Sequence, residues 1–237
     1  AMPRVVIDPS GATSALWASA FDLSRAIYEQ ADMGNEYSLQ YTTQNPVRDF
    51  VTPDDPDQDY LAFISYHHSA ESVVVARILK LMIESHMPAT HPELDSTSTP
   101  RIFLDADSLF DLSSLVSHIE RSNNLIVLLT NDLLQRPWVI IELVHAVRNG
   151  VSVLPVPISK DFDFRPYISS SSDYKELVNR FDDKAKALFQ KEGIRMPEIS
   201  RALKKMFNII AQPFYGHCSE TVQRAQIFEI TRRLSVG

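Results

Sequence analysis

At 237 residues, 44% hydrophobic and 22% charged, the chain can hold one large domain, or a medium domain plus an extension, and has the make-up of an ordinary globular protein. A net charge of −7 without any run of Lys or Arg argues against a nucleic-acid or anionic-membrane partner, and apolar runs such as LIVLL are too short to span a bilayer. A single cysteine, Cys218, excludes an intrachain disulfide and argues against a cysteine-based zinc site, so no metal is expected and a reducing, cytoplasmic setting is the simplest expectation.

No secretory signal pattern opens the chain. Val5, Val6 and Ile7 suggest a short strand, and Leu16, Ala20, Leu23 and Ile27 recur at the three-to-four spacing of an amphipathic helix. The acidic, proline-punctuated stretch TPDDPDQD then marks a boundary. Residues 1–58 are accordingly expected to be an N-terminal extension and acidic linker, and residues 59–237 one domain. From residue 60 onward strand and helix patterns alternate. Strands are predicted at 60–66 (YLAFISY), 101–105, 124–130, 151–158 and 207–214 (FNIIAQPF), and helices at 69–84, 113–121, 137–149, 173–191, 197–205 and 219–234. Residues 88–100 are expected to form a loop. Such alternation predicts right-handed crossovers and a mainly parallel, doubly wound, flavodoxin-like α/β sheet of five strands with helices on both faces.

RPWVIIELVHAV (136–147) carries one acid in an otherwise largely apolar run. Helical spacing places Trp138 and Glu142 on one side and continues to His145, while Val139, Leu143 and Val147 line up on another. Pro137 suits a first turn, where its missing amide hydrogen would have had no acceptor. On these residues alone Glu142 is either a catalytic carboxylate in a pocket walled by Trp138 or a rim glutamate of an interior helix. Ligands of parallel sheets bind beyond the carboxyl ends of the strands. That rule picks out Tyr66, His67 and His68 after the first strand, residues 105–112 after the second and 131–138 after the third, so three loops converge near Glu142.

The boxes also carry a family resemblance. FISYHHSAES resembles the first-strand box of a Toll/interleukin receptor homology (TIR) domain, IFLDADSL the box that opens its second loop, and RPWVIIEL its Trp-x-x-x-Glu-Leu helix. With VSVLPVPI and FNIIAQPF following in order, the resemblance covers roughly residues 59–235. The family contains scaffolding adaptors and enzymes that cleave NAD at the nicotinamide bond, and the enzymes share a glutamate at the position of Glu142. The resemblance therefore implies an NAD glycohydrolase that releases nicotinamide and ADP-ribose or its cyclic form. It also implies activation by self-association in signalling or defence, with NAD as substrate, no resident cofactor, and further copies or other TIR domains as partners. Glu142 would be catalytic, with substrate contacts from Tyr66, His67, His68, Asp105, Phe110 and Trp138. The alternative is a non-catalytic adaptor acting through TIR–TIR interaction.

The chemistry suits a carboxylate. Nicotinamide departs from a cationic pyridinium as a neutral molecule and needs no general acid, while positive charge develops on the ribose as an oxocarbenium-like centre. A fixed anion beneath that centre stabilises the transition state more than the ground state. The chain departs from the family in three places. His67 and His68 stand where many catalytic members carry arginine, and their charge fades above a pH of about 6.5. The second loop, ADSLFDLSS, lacks the usual glycine and so loses backbone freedom. Arg136 stands two residues before the tryptophan, where serine is common.

Other constellations are weaker. His67 and His68 replace the acidic pair that a phosphoacceptor Asp105 would need after the first strand, and no glycine-rich phosphate loop occurs. His86 and His91 lack carboxylates at ligand spacing. Cys218 has no histidine placed to activate it, adjacency to His217 being no guarantee of contact.

Overall fold

Tyr60–Ser65 (β1), Ile102–Leu104 (β2), Ser122–Leu129 (β3) and Ser152–Pro157 (β4) pair in parallel in the order β2-β1-β3-β4. The computed structural model describes residues 59–67, 69–91, 101–104, 112–132, 134, 136–168, 174, 178–179 and 181–236. The predicted extension and linker, residues 1–58, and the candidate site residues His68, Asp105 and Phe110 lie outside the described residues. The helices whose bounds lie among the described residues are Ala70–Thr90 (α1), Leu112–Glu120 (α2), Pro137–Arg148 (α3), the short Arg165–Ile168 (α4), Asp183–Lys191 (α5), Met196–Phe207 (α6) and Glu220–Thr231 (α7).

Alternate strand residues feed two cores, which is what double winding requires. Phe63, Leu125, Val127, Leu129 and Val153 pack with buried residues of α2, α3, α5 and α6. Ala62, Ile64, Ile126, Leu128, Leu154 and Val156 pack with α1 and α7 on the opposite face. All six residues of β1 are buried, as expected of a central parallel strand covered on both sides. The doubly wound, flavodoxin-like prediction therefore holds, with four strands among the described residues in place of five.

The predicted fifth strand, residues 207–214, is the main correction. Phe207 closes α6, and the segment beyond it is extended but bonds to β4 in one direction only. Gln212 N donates to Pro155 O and Phe214 N to Pro157 O, both at 3.0 Å. In a parallel ladder the outward amides at 155 and 157 would be aimed at the carbonyls of residues 210 and 212. Both positions are proline and have no amide hydrogen to give, so half of the ladder is missing. Arg233 Nη1 takes up the Ile210 carbonyl instead, at 2.6 Å.

Two helix boundaries also move. Of the helix predicted over 173–191, Val178 and Asn179 are helical, Phe181 and Asp182 interrupt it, and α5 begins at Asp183, where Asp182 caps it by accepting from Ala185 N at 2.8 Å. Upstream, Tyr174 takes a φ of 44°, a left-handed conformation no helix continues through. Conversely α1 runs through Pro88, the first residue of the expected loop, and reaches Thr90, whose hydroxyl donates back to the carbonyls of His86 and Met87. Four residues before Pro88, Glu84 turns its carboxylate to the outer edge of β2 and accepts from Ile102 N at 3.2 Å.

Candidate functional site

The carboxyl end of β1 is framed by register. Ser65 lies opposite Val127, so β3 continues past it to Leu129 before the chain turns toward α3. Leu134 anchors that turn in the core at 2% exposure. Helix α3 then starts from Arg136, whose backbone is extended (φ −93°, ψ 119°), with Pro137 in its first turn. It ends in a Schellman arrangement: Gly150 takes a φ of 74° and Val151 N reaches back to Ala146 O at 2.9 Å. Between these caps, Val139 to Val144 are all buried. The expected two-faced helix is thus an interior helix, closed off by α2, α5, α6 and β4 around it.

Trp138 and Glu142 are one turn apart but differ sharply: the indole is 38% exposed and the carboxylate residue 1%. The predicted stripe therefore runs from solvent into the interior, with the acid at its inner end. One turn further, His145 is half-buried and its Nε2 has no hydrogen-bond partner among the described residues. Burial, and then the neighbouring Arg148 guanidinium, lower its pKa from the ordinary 6.5 against the opposing pull of Glu120, Glu192 and Glu198. The imidazole beyond Glu142 is therefore held toward its neutral form.

The other predicted residues distribute unevenly. Tyr66 is 1% exposed and its ring packs on the α1 and α7 side of the sheet, the face opposite α3. His67 follows it, half-buried. Ser65 was not singled out from the sequence. Strand alternation puts it on the same face as Phe63, the α3 face, and it is fully buried with its hydroxyl lacking a hydrogen-bond partner among the described residues. The one available signal was a hydroxyl in an otherwise apolar central strand. Among the described residues no group of three or more His, Cys, Asp or Glu side chains is placed to hold a metal ion. Two surface hollows, of about 450 Å³ beside Arg148, Arg195 and Arg201 and about 360 Å³ beside Pro155, Phe164 and Ile210, have neither Glu142 nor Trp138 in their walls.

No family model and no curated protein matches the chain. Among solved structures it is similar to the TIR domains of the activated Roq1 resistosome directly recognizing the pathogen effector XopQ, at 17% identity and a TM-score of 0.45, over 71% of this chain and 97% of that one. Ser65, His67 and the start of α3 stand at one end of this chain's own parallel sheet, the end where the strands point. No helix among the described residues is long and apolar enough to cross a membrane.

Proposed function

We propose that this TIR-like chain is an NAD glycohydrolase that releases nicotinamide, with Glu142 as the anion beneath the reacting ribose. The observation that carries the proposal is the placement of Glu142, a carboxylate 1% exposed, one helical turn inward from a part-exposed tryptophan at the binding end of a parallel sheet. In a dry, fixed site such a charge interacts with a developing oxocarbenium centre more strongly than it would in water. Trp138 would offer a face for nicotinamide or ribose, and the Ser65 hydroxyl a contact from the floor of the crevice. His67 and His68 would stand by the pyrophosphate, and Asp105 and Phe110 would close the site from the second loop. Self-association is expected to raise activity by completing this enclosure.

The test is incubation with NAD at high protein concentration, following nicotinamide by chromatography. Wild type should turn over and Glu142→Ala should not. Concentration-dependent assembly with no nicotinamide released would contradict the proposal. The near-complete burial of Glu142 favours a second reading, a non-catalytic adaptor in which this acid is structural; there, assembly would proceed without turnover and Glu142→Ala would lower stability alone.

A further inference from the structure

After α7 the chain reads Arg232-Arg233-Leu234-Ser235-Val236, an exposed serine with guanidinium groups two and three residues before it. Bidentate, always-charged arginines at those offsets are what an acidic substrate groove reads. Ser235 is also held in an unusual way. Asn124, 1% exposed on β3, accepts from Ser235 N at 2.9 Å and donates to Ser235 O at 2.8 Å, while its other amide hydrogen reaches Leu61 O at 2.7 Å. The Ser235 hydroxyl meets that of Ser152 at 3.0 Å, Arg233 is bound to Ile210 O, and Leu234 is buried at 4% exposure against the α1 and α7 core.

We propose that Ser235 is the phosphoacceptor of an ATP-dependent serine kinase that selects basic residues, and that the Asn124 pin gates the reaction. A kinase groove needs an extended substrate, so the segment must leave Asn124 and Ile210 before it can be read. In the transfer, Ser235 Oγ forms a bond to the γ-phosphorus of ATP. The bond from that phosphorus to the bridging oxygen breaks, ADP leaves with the electron pair, and the hydroxyl proton passes to the kinase base and then to solvent. The added group, near two negative charges, replaces the hydroxyl proton and so ends any donation from Ser235 to Ser152.

The experiment incubates the full chain with ATP and a basophilic serine kinase and maps phosphate by mass spectrometry. One phosphate is expected on Ser235, absent in Ser235→Ala and slowed on the order of tenfold in Arg232→Ala. Asn124→Ala should accelerate uptake by a similar factor, and Ser152→Ala, which removes only one surface hydroxyl, should accelerate it less. No phosphate on Ser235 in wild type or Ser152→Ala would overturn the proposal. Uptake indifferent to Arg232 would overturn the basic-residue selection, and uptake slowed or unchanged by both pin variants would overturn the gate.

Discussion

Trp138 and Glu142 show how far a side-chain period alone can carry. Their shared stripe was legible from spacing, but the steep change in exposure along it came from what surrounds the helix, which spacing does not contain. Ser65 was missed for a related reason. A lone hydroxyl in an apolar strand is unremarkable until topology puts it on the α3 face at the carboxyl end of β1. If the indole holds substrate without meeting the developing charge, Trp138→Ala should raise KM for NAD about tenfold while kcat changes little. Equal losses in kcat and kcat/KM would instead make the ring part of transition-state stabilisation. His145 makes a separate prediction. Its folded pKa lies below the unfolded 6.5, so its contribution to stability is present above that pH and is lost as pH falls through the folded value. His145→Gln should therefore show a shallower fall in Tm than wild type between about pH 6.5 and 5. Some slope will persist, because burial and Arg224 also lower the pKa of His86. Parallel melting curves would contradict the assignment.

Strands and helices were legible wherever apolar period and chemistry agreed, as in β1, β3 and α3. The segment 207–214 had the apolar period of a strand, but its pairing partner carries Pro155 and Pro157 on the facing edge, and a pairing defect in one strand cannot be read from the other. Replacing Pro157 with Ala restores an amide aimed at the carbonyl of residue 212, so hydrogen exchange should place that new amide among the protected ones. Exchange at the rate of an open loop would refute this geometry. At the opposite edge, Glu84 supports β2 through Ile102 N but stands partly desolvated. Burial raises its pKa above 4.5, with Lys80 and the Ile102 amide pulling the other way. Its contribution is therefore full below the unfolded pKa and declines as pH rises through the folded one, the reverse of His145. Glu84→Gln keeps an acceptor for Ile102 N, and its stability relative to wild type should increase from pH 4.5 to 7, as read by denaturant titration. A constant difference would show that the carboxylate does not titrate in that window.

The alternation of strand and helix is a property of the whole chain, and it predicted parallel double winding because few other topologies use such a pattern. The site itself was less legible: sequence placed three loops at one end of the sheet, while the fold divides their side chains between two faces, Tyr66 on one and Ser65 with α3 on the other. In the proposed function, what would unite them is the carboxylate of Glu142. The most direct measurement is the rate of nicotinamide release by wild type and by Glu142→Gln, which keeps shape and burial and removes only the charge, at matched folded fraction and protein concentration. An oxocarbenium-stabilising carboxylate predicts a loss on the order of 10², or about 2.7 kcal/mol of transition-state stabilisation. Equal rates in the two proteins would contradict it.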